Sequence, residues 1–87
     1  MSELDDKFAF AQEDVKKLTT KPSNEDLLAL YATFKQATKG DAVGKRPGRL
    51  DFVGRAKFDA WAALAGTPAD DAKDKYVATV ARLRAGA

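Results

Sequence analysis

Four stretches of the chain carry apolar residues at spacings of three and four, and Pro- or Gly-containing segments separate these stretches. Such spacing places the apolar side chains on one face of an α-helix. No stretch shows the alternation of apolar and polar residues that is typical of a half-buried strand. The 87 residues are a single-domain length. We therefore predict an all-α, four-helix bundle in which residues 1–87 form a single domain.

Turn and capping residues indicate where the first two helices end and begin. The first helix should end before Pro22, because the residue preceding a proline disfavours the helical conformation. The second should begin at Ser23 or Asn24, where Ser23 and Asp26 resemble a capping box. Gly40 is a natural C-terminal stop for this helix.

The third and fourth helices have equally recognisable starts. Asp51 can cap the third, while Thr67 is predicted as the N-cap of the fourth, with Pro68 at its first helical position. The third helix is expected to bury one side, which carries Gly54, Phe58, Trp61, Leu64 and Ala65.

The net charge of +2 conceals a strongly basic segment in the middle of the chain. Residues 35–57 contain seven Lys or Arg residues and two Asp residues, whereas residues 1–34 carry a net charge of −3. Within the basic segment, residues 40–51 hold three glycines and a proline, which predicts a long loop. A local excess of positive charge of this kind indicates an anion site.

Two lysines of this segment fall within the predicted apolar faces. Lys35 follows Tyr31 by four positions, which places it about 40° from Tyr31 around the second helix. Lys57 precedes Trp61 by four positions on the third helix. Their stems could cover the edge of the core while the ammonium groups reach water. Alternatively, an anionic ligand with a phosphate and a ring would satisfy both the lysines and the aromatic side chains.

The composition excludes several kinds of chemistry. The chain has no Cys and no His, which rules out a disulfide framework, a catalytic thiolate and a zinc site with Cys or His ligands. The carboxylates form no pattern that is typical of acid–base catalysis, so we expect neither an enzyme nor a metal or cofactor site. No segment is apolar enough to span a membrane, and residues 1–7 are too polar for a signal peptide. A cytoplasmic protein without membrane insertion is expected.

Several motifs of the chain resemble those of a known family. Residues 31–41 (YATFKQATKGD) are similar to the signature Y-x-x-[YF]-K-Q-A-T-x-G-D, and residues 46–48 (RPG) follow as they do in that family. Residues 51–61 (DFVGRAKFDAW) are similar to its D-x-x-[GA]-[KR]-A-K-[WF]-D-A-W pattern. On these motifs the chain resembles the acyl-CoA-binding protein family over nearly its whole length.

That resemblance implies an up-down-down-up four-helix bundle that binds medium- to long-chain fatty acyl-CoA without catalysis. It implies an intracellular carrier and pool former, a monomer that exchanges ligand with acyl-CoA-producing and -consuming enzymes and uses no cofactor. The ligand-contacting residues that it implies are Lys16, Tyr31, Ala32, Thr33, Phe34, Lys35, Lys57 and Tyr76.

The resemblance also implies a role for individual residues. Tyr31 and Lys35 would contact the 3′-phosphate and adenine of CoA, Lys57 would pair with the phosphate, and Tyr76 would join from the fourth helix. The acyl chain would lie in an apolar groove across the helices. Val53 departs from the family, in which many members carry a basic or polar residue at that position. A basic helical module for protein or nucleic acid is the alternative, and it predicts weak binding with a steep salt dependence.

Overall fold

A computed structural model describes residues 2–86 of the chain. These residues form four α-helices and no β-strand: α1 (Glu3–Val15), α2 (Asn24–Lys39), α3 (Phe52–Ala62) and α4 (Ala69–Gly86). The prediction of an all-α, four-helix architecture is confirmed, and residues 40–51 connect α2 to α3 as the expected long loop. None of these helices is long and apolar enough to cross a bilayer.

Side chains cap α2 and α3 at the residues that the sequence predicts. Ser23 Oγ accepts a hydrogen bond of 3.1 Å from the backbone N–H of Asp26. Asp51 Oδ1 accepts one of 2.9 Å from the backbone N–H of Gly54. Each bond satisfies an amide that has no partner within its own helix. At the other end of α2, Gly40 adopts a φ of +81°, which a residue with a Cβ rarely does.

The start of α4 differs from the prediction by one position. The helix begins at Ala69, and the carbonyl of Pro68 accepts its first bond, from the N–H of Ala72 at 3.0 Å. Thr67 is therefore not the N-cap. Its carbonyl oxygen accepts a hydrogen bond from the side-chain amide of Gln36 on α2. This tertiary contact holds Thr67 in the turn that precedes the helix.

An aromatic cluster joins α1, α2 and α4. The ring centroids of Phe8 and Tyr76 are 5.1 Å apart in an edge-on arrangement, and Phe34 lies 6.0 Å from Phe8 and 6.3 Å from Tyr76. Ala11, Leu30 and Val80 complete the buried cluster. Edge-on and tilted aromatic pairs at these distances stabilise a core beyond the area they bury. Three helices thus share one small core.

The third helix lies outside this core. Within residues 2–86, the backbone of α2 lies close to those of α4 and α3, that of α1 lies close to α4, and the backbone of α3 comes close to no helix other than α2. No residue of α3 is fully buried. The prediction that one side of this helix is buried is therefore only partly correct, because a single neighbouring helix covers that side incompletely. Gly54, Phe58, Trp61 and Leu64 are half-buried, and Ala65 is exposed.

Two phenylalanines of α1 test which residues hold the fold. Phe8 is buried in the aromatic cluster, whereas Phe10 is 70% exposed. We expect Phe8→Ala to lower the free energy of unfolding by about 3–5 kcal/mol, and Phe10→Ala to change it by less than about 0.5 kcal/mol. Urea unfolding followed by circular dichroism measures both. Equal losses in the two variants would contradict the placement of the core.

Candidate functional site

Two lysine ammonium groups from different helices lie over the ring of Tyr31. Lys35 Nζ on α2 is 5.8 Å from the ring centroid, and Lys57 Nζ on α3 is 5.3 Å from it. Lys35 Nζ is also 5.5 Å from the ring centroid of Trp61. An aromatic face attracts a cation at about 6 Å or less. We call these four residues the cation cluster. Their two like charges repel each other, so the cluster favours an anion that contacts both lysines.

The two lysines are distinguished by their contact with aromatic rings, and like several other basic residues, Lys45 among them, they have no acidic partner in the part of the chain that the structure describes. Within residues 2–86, neither Lys35 nor Lys57 forms an ion pair with a carboxylate. Four ion pairs do join separate elements of the fold: Arg46–Asp59, Lys73–Asp5, Arg82–Asp26 and Arg84–Asp14. The fold therefore neutralises many of its charges internally and leaves the cation cluster available to an external anion.

Arg46 shows that the basic segment is not a uniform positive surface. Its guanidinium donates two hydrogen bonds, of 2.9 and 2.7 Å, to the carboxylate of Asp59 on α3. This contact lowers the pKa of the Asp59 carboxyl. Arg46 thus ties the loop to α3, and part of the charge excess predicted from the sequence is used within the fold.

An apolar groove opens between α2 and α3 and ends at the cation cluster. It has a volume of about 380 Å³ and is lined by Asn24, Leu27, Leu28, Phe52, Val53, Ala56 and Lys57. Phe52 and Val53 are 75% and 67% exposed, and Leu27 is 38% exposed. Exposed apolar side chains gathered in one concave surface are typical of a ligand site. Because Lys57 belongs to both features, a ligand with an apolar chain and an anionic group can contact both at once.

Phe34 and Tyr76, two of the expected site residues, lie in the aromatic core. Tyr76 is 5% exposed, and burial raises the pKa of its hydroxyl. Phe34 is half-buried and packs against Tyr76 and Phe8. Phe34 follows Tyr31 by three positions on α2, so the core lies directly beside the cation cluster. The structure gives these two residues a packing role at the edge of the site.

Ala32 and Thr33 face away from Tyr31. At 100° per residue they lie about 100° and 200° from it around α2. Both are buried and line a second groove of about 450 Å³ that α2 shares with α3 and α4. The Thr33 hydroxyl donates a 2.7 Å hydrogen bond to the carbonyl oxygen of Ala29 in the preceding turn. The structure therefore separates Ala32 and Thr33 from the cation cluster.

Lys16 lies at the end of α1. It is the C-cap residue of this helix and is exposed to solvent. Its Nζ is 3.8 Å from Oε1 of Glu13, in the preceding turn. An exposed pair of this kind contributes little to stability, so Lys16 can move to meet a ligand.

The expected site residues did not include Trp61 or, apart from Lys57, the side chains that line the groove. Trp61 follows Lys57 by four positions, and this spacing, which puts both side chains on one face of the helix, could have identified Trp61 as a site residue. Leu27 and Leu28 lie in the first turns of α2. They line an open groove because α3 covers this end of α2 only in part.

A polar network joins the end of α2 to the turn between α3 and α4. Gln36 Nε2 donates hydrogen bonds of 2.7 Å to Asp41 Oδ1 and of 3.0 Å to the carbonyl oxygen of Thr67. Asp41 Oδ1 also accepts a 2.9 Å bond from the backbone N–H of Gly66. We call these four residues the junction network. Its two donors to Asp41, first the Gln36 amide and then the Gly66 amide, lower the pKa of that carboxyl.

The described residues offer no obvious metal site. Within residues 2–86, no group of three or more acidic side chains lies close enough together to hold a metal ion. The chemistry available in the cation cluster and groove is therefore recognition by charge, aromatic faces and apolar contact.

Comparisons with known proteins identify the family. A sequence model described as acyl-CoA-binding protein matches residues 5–80. An acyl-CoA-binding protein homolog of Manduca sexta is 49% identical over 81 residues, which are 92% of this chain and 90% of that protein. The acyl-CoA-binding protein of Brassica napus is 48% identical over 80 residues, with 92% of this chain and 87% of that protein covered.

Solved structures show the same similarity in three dimensions. The crystal structure of Oryza sativa acyl-CoA-binding protein 2 superposes with a TM-score of 0.89 at 37% identity, covering 95% of this chain and 92% of that one. The acyl-CoA-binding protein of Moniliophthora perniciosa also gives a TM-score of 0.89, at 40% identity, covering 99% of this chain and 83% of that one. The four-helix arrangement is thus of the same type as in these proteins.

The lowered pKa of Asp41 predicts an acid dependence of stability. A folded-state pKa below the ordinary value of 3.8 contributes stability at higher pH, and this contribution is lost as the pH falls through the folded value. Asp41→Asn keeps an acceptor oxygen but does not titrate. We expect the free energy of unfolding, measured by urea at pH 6 and pH 3, to fall less in this variant than in the wild type. An equal fall would show that the Asp41 carboxylate gains nothing from its two donors.

Proposed function

Because the chain belongs to the acyl-CoA-binding protein family, we propose that it binds medium- to long-chain fatty acyl-CoA without reacting with it. The observation that carries this proposal is the contact of Lys35 and Lys57 with one tyrosine ring, at the end of an apolar groove. A fatty acyl-CoA combines a phosphate-bearing nucleotide with a long apolar chain, and these are the two kinds of group that the cation cluster and the groove suit.

The cation cluster supplies the contacts for the nucleotide portion. A phosphate bound by both Lys35 and Lys57 would cancel the repulsion between their charges, and charge-assisted bonds of this kind contribute about 1.5–3 kcal/mol each. The faces of Tyr31 and Trp61 lie close by and can pack against the adenine. In this proposal Phe34 and Tyr76 contribute through the core that lies beside Tyr31, and the exposed Lys16 adds a further charge to the ligand contacts.

The groove supplies the contacts for the acyl chain. Its apolar walls come from α2 and α3, and Val53 adds an apolar side chain where a lysine or polar residue would interrupt them. Each CH₂ group removed from water contributes about 0.8 kcal/mol. Affinity therefore grows with the length of chain that the groove can cover. Because the two parts of the ligand are covalently joined, binding of one part brings the other to its site.

The proposal extends to the role of the protein in the cell. The chain has neither Cys nor His, so it lacks the side chains that most often attack a thioester or activate water near neutral pH. Such a chain can hold a reactive thioester unchanged. We propose that it acts as a monomeric cytoplasmic carrier, which keeps a pool of acyl-CoA and exchanges it with the enzymes that make and consume it.

Calorimetry with parts of the ligand tests the proposed function. We expect palmitoyl-CoA, titrated below its micelle-forming concentration, to bind at least about 100-fold more tightly than either CoA or palmitate, because only the thioester fills both sites. Equal affinities for the thioester and for one of its parts would overturn the proposal. Binding of duplex DNA at about 150 mM salt with comparable affinity would favour the basic-module alternative.

Replacing single lysines tests the cation cluster. Lys35→Met and Lys57→Met keep the aliphatic stem and remove the charge, and each should lower the affinity for palmitoyl-CoA about 10-fold or more. Lys45→Met is the matched control, because Lys45 is exposed in the loop and its replacement changes the net charge by the same amount. It should change the affinity by less than about twofold at physiological salt. A similar loss in all three variants would indicate a non-specific attraction to the basic segment.

Two exposed valines test the groove. Val53 lines it, whereas Val43 is 79% exposed in the loop and is not among the residues that line it. Val53→Asn should lower the affinity for palmitoyl-CoA about 3- to 10-fold and leave the affinity for CoA unchanged, since it replaces apolar contact with the acyl chain. Val43→Asn should affect neither. An unchanged palmitoyl-CoA affinity in Val53→Asn would place the acyl chain elsewhere.

A further inference from the structure

The position of α3 decides whether Lys57 can share a ligand with Lys35, yet apolar packing restrains this helix only weakly. Within residues 2–86, the backbone of α3 comes close to that of α2 and of no other helix, and no residue of α3 is fully buried. In addition, the ammonium groups of Lys35 and Lys57, which carry like charges, lie 5.8 Å and 5.3 Å from the centroid of the Tyr31 ring. In the absence of an anion, these like charges give α3 no attraction towards α2. Some other interaction must hold the helix in place.

The polar contacts at the far end of α3 supply that restraint. The junction network joins Gln36 and Asp41, at the end of α2, to Gly66 and Thr67, which follow α3. Gln36 is 1% exposed, so losing the bonds of its amide would leave buried donors without partners. Asp41 is exposed to solvent, so Gln36 is the buried member of the pair. The network attaches α3 in a region that has little apolar core.

A second contact reinforces the attachment beside the cation cluster itself. The indole Nε1 of Trp61 donates a 2.8 Å hydrogen bond to the carbonyl oxygen of Gly40. Gly40 and Asp41 are adjacent at the end of α2. Gly40 bonds to Trp61 in the last turn of α3, and Asp41 bonds to Gly66 in the turn that follows α3. The Trp61 ring then lies 5.5 Å from Lys35 Nζ. The same contacts that dock α3 also set the shape of the cation cluster.

We propose that Gln36 and Asp41 are positioning residues for the anion site, which hold α3 at the distance where Lys35 and Lys57 bind one phosphate together. Neither residue touches the ligand in this proposal. They act by keeping the two lysines in place before the anion arrives, so that binding does not have to supply the work of bringing them together. The proposal rests on the proposed function, since it names what organises that same site.

A double-mutant cycle separates positioning from a general effect on stability. The affinity for palmitoyl-CoA is measured by calorimetry at 10 °C in the wild type, Asp41→Ala, Lys57→Met and the double variant. Asp41→Ala should bind about 10-fold more weakly. Lys57→Met should cost about 10-fold in the wild type but less than about threefold in the Asp41→Ala background, because there Lys57 is already displaced. Multiplicative losses across the cycle would overturn the proposal.

Three further variants complete the design. Asp41→Asn retains an oxygen that can accept both bonds and should restore the affinity to within about twofold of the wild type. Val80→Ala lowers stability in the core, far from the junction network in the sequence, and should leave the affinity unchanged. A loss in Val80→Ala as large as that in Asp41→Ala would also overturn the proposal. If Asp41→Ala does not fold, Gln36→Met, which has a similar volume and no donor, replaces it in the cycle.

A measurement without ligand distinguishes failure of this proposal from failure of the proposed function. Trp61 is the only tryptophan, so its fluorescence reports on the end of α3. Acrylamide should quench it more strongly in Asp41→Ala than in the wild type and no more strongly in Asp41→Asn. Unchanged quenching in Asp41→Ala overturns the positioning role even if acyl-CoA binds. Absence of palmitoyl-CoA binding in the wild type overturns the proposed function, while increased quenching would still show that Asp41 positions α3.

Discussion

The contact between Phe8, Phe34 and Tyr76 is the interaction on which the rest of this small protein depends. It joins α1, α2 and α4 through three rings whose centroids are 5.1 to 6.3 Å apart. A chain of 87 residues can bury only a modest fraction of its surface, so it forms one such core rather than several. Three helices use that core, and α3 is left to pack on the outside of α2.

The functional site follows from this unequal use of the core. Because α3 covers only one side of α2, Leu27, Phe52 and Val53 remain accessible and form the walls of a groove. The same arrangement brings the ammonium group of Lys57 over the Tyr31 ring that Lys35 already occupies. A more completely packed bundle would be more stable, but it would close the groove and would have to pair these charges internally. The protein thus gives up some core packing to keep a site for a ligand with two chemically different parts.

The local order of the chain was largely predictable. Ser23, Gly40 and Asp51 set the ends of helices through bonds and backbone angles that involve only their near neighbours, and the structure places each of them as expected. The prediction of Thr67 as a cap was wrong by one position because its carbonyl oxygen bonds to Gln36, 31 residues away along the chain. Contacts at that separation leave no periodic signal in a single sequence.

In the candidate site, too, the features set by local helical geometry were predictable and those set by tertiary contacts were not. The spacing of Tyr31 and Lys35 puts them on one face of α2, and the spacing of Lys57 and Trp61 does the same on α3, because helical geometry alone relates residues one turn apart. The sequence by itself therefore determined which side chains share a face and where α2 and α3 begin. Only the tertiary structure decided that these two faces meet, that Ala32 and Thr33 lie in a different groove, and that α3 stays half-exposed. Those outcomes depend on how helices compete for a single small core, and on hydrogen bonds such as that from Trp61 to Gly40 that form only after the helices have packed.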